Sequence, residues 1–268
     1  MTTTANKAII CYDNLLTSSK LLSVAASSQQ TGYSVQNCYD WCTTTYWSPE
    51  LGHEYNYIYI SFYENVTADY LAIYRHNLGT IGGYIFLEYS DDPEDWSEAQ
   101  QVGSIVSAEN NELIIHLFEA TTARHWRVGF HSSLIYTAFY CGVVMLGNKL
   151  PLYRGMVGGF VVPRHGRKNE IINQTTEGGQ FVGRIKVSKG ARSNITFKTV
   201  PQTWVRDYWE AFVLHAEMLP FLFSWNHEFY PQDACFCVTD GEIPPLAINE
   251  NRFHDISLPV MCLLSGLN

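Results

Sequence analysis

Five acidic residues in one short segment are the densest set of potentially catalytic groups in the sequence. They are Asp91, Asp92, Glu94, Asp95 and Glu98. A glycoside hydrolase needs two carboxyl groups held on opposite sides of the bond that it cleaves, whereas these five crowd one proline-containing turn. We therefore predict a solvent-exposed turn. The alternatives are a weak calcium site, because carboxylate oxygens suit that ion, and a glycosidase.

Other reaction chemistry has no local signature in the chain. The sequence contains no glycine-rich phosphate loop, no Gly-x-Ser-x-Gly turn and no His-Glu-x-x-His motif. The seven cysteines lack zinc-ligand spacing, and Cys235 and Cys237 are predicted to be two core residues of one strand. The sequence therefore predicts a protein that is not an enzyme and that has no cofactor and no metal.

Charge is distributed unevenly along the 268 residues. The net charge of −9 disfavours general nucleic-acid binding. Residues 1–120 contain 15 acidic and three basic side chains, whereas residues 154–198 contain nine basic and two acidic ones. Such asymmetry can place an acidic face of one copy against a basic face of the next. The alternative is two solvated faces of a monomer.

The composition is that of a folded protein. Hydrophobic residues make up 46% of the chain and charged residues 16%, which favours a packed core. The sequence begins without a signal-peptide layout, and no apolar run reaches transmembrane length. We expect synthesis in the cytoplasm, reduced thiols and no membrane insertion.

Residues 1–147 are predicted to form an antiparallel β-sandwich. Short aromatic and β-branched runs alternate with turn residues, and no helical periodicity interrupts them. The predicted strands are residues 57–62, 70–74, 84–89, 113–118, 126–130 and 139–146.

Residues 148–183 are predicted to be a linker or extended arm, because seven glycines and two prolines interrupt them. Arg164, Arg167 and Lys168 form a small basic cluster in this segment. With Arg184, they are candidate contacts between subunits. The alternatives for the cluster are a solvated loop and a phosphate contact.

Residues 184–268 are predicted to form a β domain with one helix at 202–217. Trp204, Tyr208 and Phe212 recur every four residues, which indicates an apolar helical face. Strands are predicted at 183–188, 194–199, 221–225, 234–239 and 255–264. The fold class is therefore mainly β, with a β-sandwich followed by a sandwich-type α+β domain.

Six short motifs follow one another in residues 14–147. They lie at 25–48, which includes Thr45-Tyr46-Trp47-Ser48, and at 57–62, 71–79, 86–96, 123–128 and 141–147. In this order they resemble the discoidin family (F5/8 type C, galactose-binding-like), whose fold is a jelly roll. The chain departs from the family pattern at Asp91-Asp92-Pro93-Glu94, where the family often has Asp-Gly.

The resemblance implies binding rather than catalysis, because the family binds sugars, lipids or proteins through loops at one end of its barrel. Aromatic side chains near these loops can stack on sugar rings; the alternative for each is core packing. The candidate ligand-binding residues are Tyr33, Trp41, Tyr46, Trp47, His76 and Asn77.

A second set of motifs lies between residues 181 and 258. It comprises Phe181-Val182-Gly183-Arg184, the helix at 204–215, and segments 220–225, 230–234 and 254–258. The pattern is similar to that of siphophage tail-tip proteins, including distal-tail (baseplate hub) proteins. This resemblance implies a ring of copies, commonly a hexamer, which contacts the tail tube and neighbouring tail-tip proteins.

Two functions follow as hypotheses. The first is a structural component of a tailed-phage virion, made in the host cytoplasm, in which a tail-tip ring carries a binding-type sandwich. The second is a carbohydrate-binding protein of the virion that recognises a host surface glycan. A stable ring would support the first hypothesis, and glycan binding would support the second.

Overall fold

The computed structural model describes residues 8–166, 170–188, 191–246 and 252–263. The chain divides into two compact units. The sandwich unit is Cys11–Leu150, and the C-terminal unit combines Met1–Ile10 with Pro151–Asn268. The finer division into residues 1–147, 148–183 and 184–268 stays a prediction.

The described strands are antiparallel wherever their pairing is defined. In chain order they are β1 (Ile9–Cys11), β2 (Leu21–Ala26), β3 (Tyr55–His76), β4 (Tyr84–Ser90), β5 (Gln100–Ser107), β6 (Ile114–His131), β7 (Cys141–Gly147), β8 (Lys149–Pro151), β9 (Glu170–Thr175), β10 (Phe181–Ser188), β11 (Ala191–Pro201), β12 (Phe221–Ser224), β13 (Cys235–Thr239) and β14 (Phe253–Leu263). This confirms the mainly β fold class.

The two long strands β3 and β6 organise the sandwich unit. The strand order is β2-β3-β6-β4-β5, and β7 pairs with the second half of β3. The β3–β6 register shifts between Ser61 and Val66, which divides each long strand into two halves. The strands predicted at 57–62 and 70–74 are therefore the two halves of one strand.

The core of this unit lies between the halves of the long strands. Ile58 and Ile60 come from the first half of β3, Leu71 and Ile73 from the second, and all four belong to one buried cluster. Because side chains alternate along a strand, each half contributes every second residue to the interior. The sheet thus packs against itself as a sandwich, with Trp126 fully buried inside.

A second sheet forms the framework of the C-terminal unit, in the order β11-β14-β13-β12-β1-β8. Strand β1 lies between β12 and β8 in this sheet, far from both in the sequence, and has only three residues. So short a segment has no periodicity from which its partner could be read.

The predicted helix is present over Gln202–Trp204, Val205–Trp209 and Glu210–Ala216, and its middle five residues have π-helical winding. Trp209 packs against Phe197, with ring centroids 5.4 Å apart, and is fully buried. Tyr208 was predicted on the buried face but is 52% exposed. The π turn explains the difference, because it changes the angle between successive side chains.

Strands β9 and β10 form a hairpin that is a two-stranded sheet of its own. Its turn closes through hydrogen bonds from Thr176 N to Gln180 O (2.9 Å) and from Gly179 N to Thr176 O (2.9 Å). Gly179 has φ +78°, which glycine adopts without strain. The hairpin begins inside the segment predicted to be a linker or extended arm, at Glu170–Thr175.

Candidate ligand-binding site

Three loops meet at one end of the sandwich unit. They are residues 27–54, 77–83 and 132–140, which connect β2 to β3, β3 to β4, and β6 to β7. Asn77 joins two of them, because its Nδ2 donates to Ala138 O (2.7 Å) and its Oδ1 accepts from Tyr140 N (2.9 Å). The first loop is attached by Ser48 Oγ, which donates to Phe139 O (2.6 Å). We call this region the loop end.

A tyrosine cluster, consisting of Tyr33, Tyr46 and Tyr140, lies at the loop end. The rings of Tyr33 and Tyr46 stack with centroids 4.8 Å apart and planes 20° apart. Tyr140 lies 5.3 Å from Tyr46 at 50°. Tyr33 is 37% exposed, and the other two are half-buried. The hydrogen bond with Tyr33 raises the pKa of Tyr46. The cluster thus offers apolar ring faces and uncharged hydroxyl groups.

The backbone beside the cluster is fixed by a tight turn at residues 40–45. Asp40 accepts hydrogen bonds from Cys42 N (2.8 Å) and from Thr45 Oγ1 (2.8 Å) through its two carboxylate oxygens. Trp41 is half-buried with φ +63°, a conformation uncommon for a residue other than glycine. The Thr44 hydroxyl hydrogen-bonds to the Cys42 thiol and lowers its pKa to about 7.

An exposed arginine adjoins this turn. Arg75 Nε donates to Thr43 O (3.2 Å), and its φ of +58° is also in the left-handed region. A Cβ at Gly142 would lie 2.9 Å from Arg75 Cβ and 3.2 Å from Thr45 O, so glycine permits this close approach. The loop end therefore adds a carboxylate and a guanidinium group to the tyrosine cluster, and both suit hydrogen bonding to a polar ligand.

Three of the predicted ligand residues support the loops instead of facing outwards. Trp47 is fully buried, and its Nε1 donates to Ser28 O (3.0 Å). His76 is 1% exposed, and its Nε2 lies 2.7 Å from Glu112 O. Asn77 is 8% exposed and makes the two bonds described above. All three lie at the loop end, but motif spacing could not give the direction of their side chains.

Tyr33, Trp41 and Tyr46 are the predicted residues that remain partly exposed at the loop end. Tyr140 and Arg75 were missed. Each contacts the 27–54 loop only because segments that are distant in the sequence fold together. No pattern in the neighbouring residues indicates that either belongs to the site. Tyr140 falls within the strand predicted at 139–146, whereas in the structure it is the last residue of the loop before β7.

The predicted subunit contacts fall in the C-terminal unit. Arg164 Nη1 donates to Gln232 O (3.1 Å), and Arg184 Nε donates to Asn173 Oδ1 (2.8 Å) across the hairpin. Arg184 is exposed. Arg167 and Lys168 lie outside the described residues. The contact itself stays a prediction.

The acidic turn uses its carboxylates to hold its own backbone. Asp92 Oδ1 accepts from Glu94 N (2.9 Å), and Asp95 Oδ1 accepts from Ser97 N (2.9 Å). In the described part of the chain, these carboxylates do not form a group of three converging ligand atoms. The geometry is that of an exposed turn stabilised by its side chains.

The burial of His76 predicts a pH-dependent stability. Burial lowers its pKa to about 4, whereas the unfolded chain has a pKa of about 6.5. Between these two pH values only the unfolded chain binds the proton. The free energy of unfolding therefore has its full value above about pH 6.5 and decreases as the pH is lowered below that value. Urea unfolding at pH 4.5 should show a loss of about 2–3 kcal/mol from this group.

The matched variants are His76→Gln and His53→Gln, since His53 is an exposed histidine of the same loop end. We expect the first to reduce the difference in unfolding free energy between pH 7 and pH 4.5, and the second to preserve it. An unchanged difference in His76→Gln would contradict the assignment.

Solved structures similar to this chain include carbohydrate-binding modules. A GH29 fucosidase of Ruminococcus gnavus in complex with fucose is 18% identical over 52% of this chain and 27% of its own, with a TM-score of 0.44. Chitosan-binding module 1 of a chitosanase/glucanase from Paenibacillus sp. IK-5 is 18% identical over 50% of this chain and 98% of its own (TM-score 0.42). CpGH89CBM32-6, produced by Clostridium perfringens, is 16% identical over 50% and 98% (TM-score 0.39).

The extent of these matches is uneven. The chain spans about a quarter of the fucosidase's length and nearly all of each module, but about half of this chain is matched in every case. No protein-family model and no curated protein matches the sequence. Within the described ranges, none of the helices has the length and apolar character needed to cross a membrane.

Proposed function

We propose that the sandwich unit binds carbohydrate, without catalysis, through the tyrosine cluster at the loop end. The observation that carries the proposal is the Tyr33–Tyr46 stack with Tyr140 beside it. Sugar rings have apolar faces that pack on aromatic rings, and hydroxyl edges that need hydrogen bonds. The rings supply the first requirement, and Asp40 and Arg75 bring polar groups to the same end.

The rigidity of the loop end supports this proposal. The cluster is positioned by backbone contacts: Asn37 Nδ2 donates to Tyr46 O (2.9 Å), and Tyr33 N donates to Gln30 O (3.0 Å). Ordering of such loops before binding reduces the entropy that a ligand must overcome. The sequence resemblance to the discoidin family, which binds ligands through its loops, supports the same region.

The test is binding to a glycan array by the native chain and by Tyr46→Ala. We expect the variant to bind its best glycan about five- to tenfold more weakly, because the stack contributes roughly 1–1.5 kcal/mol. Tyr63→Ala is the matched control, since Tyr63 is a 63% exposed tyrosine where β3 changes register, away from these loops. Equal binding by Tyr46→Ala and the native chain would overturn the proposal.

We propose, as a second function, that the chain is a structural component of a tailed-phage virion that assembles with copies of itself. The β9–β10 hairpin favours this role. Ile172 and Ile185 pair across it and are 50% and 53% exposed, and Phe181 and Val182 are 65% and 62% exposed. An isolated two-stranded hairpin is marginally stable in water, so this one needs a further surface on which to pack.

A second copy of the chain is the partner that we propose for the hairpin. The segment 154–198, which contains it, is basic, whereas residues 1–120 are acidic. Opposite charges on two regions of one chain favour contact between copies. The resemblance of residues 181–258 to siphophage tail-tip proteins supports a ring, with a hexamer as the expected form, next to tail-tube and tail-tip proteins.

Mass photometry of the native chain tests assembly, and antibody labelling of virions in the electron microscope tests location. We expect a particle of several chain masses and label at the tail tip. A chain that stays monomeric at micromolar concentration and labels no virion would overturn the structural role, and would leave the carbohydrate proposal standing.

A further inference from the structure

Three cysteine thiols converge in the core of the C-terminal unit. Cys235 and Cys237 lie two residues apart on β13, so their side chains share one face of the sheet. Cys262 on β14 is the direct partner of Cys237 in the register. The Sγ atoms of Cys237 and Cys262 are 3.4 Å apart, as are those of Cys235 and Cys237. All three Sγ atoms lie within 4.8 Å of one another.

The surroundings of the three thiols are buried and acidic. Each cysteine is at most 1% exposed. Asp233 is 8% exposed, and its carboxylate accepts from Trp225 Nε1 (3.0 Å) while its negative charge acts on Cys235. The Asp233 carboxylate therefore places a negative charge beside the thiols in a region that water does not reach, and a bound cation would stabilise that charge.

We propose that Cys235, Cys237 and Cys262 bind one Cu(I) ion. Thiolates are soft ligands that select Cu(I) and zinc over hard cations. A structural zinc site takes four ligands in a tetrahedron, whereas this group has three members among the described residues. Three sulfurs at these spacings reach a common centre by small movements of their side chains. Each sulfur that binds as a thiolate releases one proton, and no electron is transferred, because copper enters as Cu(I).

The first test uses the full chain, reduced and kept without oxygen. Cu(I) is supplied from a chromogenic chelator that competes for it, and bound copper is counted by native mass spectrometry. We expect one Cu(I) per chain and a higher melting temperature than that of the copper-free protein. Failure of the native chain to take copper from the chelator would overturn the proposal.

Matched cysteine variants locate the copper. Cys237→Ser removes the central sulfur, and we expect this variant to bind no Cu(I). Cys38→Ser alters a buried thiol of the sandwich unit, whose Sγ lies 3.3 Å from Cys141 O, and Cys42→Ser removes the thiol of the 27–54 loop. Both controls should keep the copper. Retention of one Cu(I) by a folded Cys237→Ser chain would overturn the site.

X-ray absorption at the copper edge makes the test independent of variants that fail to fold. In the loaded native chain we expect a first shell of three sulfur atoms. A shell that contains nitrogen or oxygen ligands, or two sulfurs alone, would contradict the three-thiol site.

Discussion

A double variant with Phe181→Asp and Ile185→Asp is expected to remain monomeric at concentrations at which the native chain assembles. Both side chains are more than half exposed on the hairpin, where a second copy can cover them. Complete burial of one such side chain contributes about 1.5–3 kcal/mol, and a buried unpaired carboxylate costs more. We therefore expect the dissociation constant to rise by about 100-fold or more. Mass photometry across a dilution series measures it.

Two further variants separate the hairpin surface from the general effect of added charge. Tyr63→Asp with Ile105→Asp places the same two charges on exposed apolar positions of the sandwich unit, and should leave assembly intact. Phe181→Leu with Ile185→Val keeps the hairpin apolar and should assemble as well. Native-like particles formed by the double-aspartate hairpin chain would exclude this surface as the contact.

Elements with a strong local pattern could be predicted from the sequence. The run at 84–89 is strand β4, and the aromatic spacing at 202–217 is a helix that ends at Ala216. The continuity of β3 could not be predicted, because Glu64 and Asn65 interrupt its apolar alternation where the register shifts. In the hairpin, the strand predicted at 183–188 is part of β10. Strand β9 was not predicted, because its adjacent residues Ile171 and Ile172 give no alternation of apolar and polar side chains.

The loop end shows why a site is harder to predict than a strand. Family motifs brought Tyr46, Trp47 and Asn77 to the same region, but adjacent residues point in opposite directions along an extended segment. Tyr46 stacks on Tyr33, whereas Trp47 is buried against Phe130 and Phe139. Which of two neighbouring aromatic rings faces outwards depends on the packing of distant segments.

Because Trp47 is buried and Tyr46 is partly exposed, alanine substitutions at these two neighbouring positions should have very different effects on the free energy of unfolding. Trp47→Ala should destabilise the sandwich unit by about 3–5 kcal/mol, because it leaves a cavity beside Phe130 and Phe139. It also removes the hydrogen bond from Nε1 to Ser28 O. Tyr46→Ala should change the unfolding free energy much less while it weakens glycan binding. Urea unfolding and glycan binding, measured on the same preparations, compare the two effects.

Trp47→Phe distinguishes support from ligand contact. Phenylalanine keeps most of the buried ring and loses the bond to Ser28 O, so we expect a cost of about 1–2 kcal/mol with glycan binding preserved at neutral pH. If Trp47 contacted the ligand instead, a folded Trp47→Phe chain would bind weakly while its stability stayed near that of the native chain. Preserved binding after a measurable loss of stability would establish that Trp47 acts by holding the 27–54 loop beneath the tyrosine cluster.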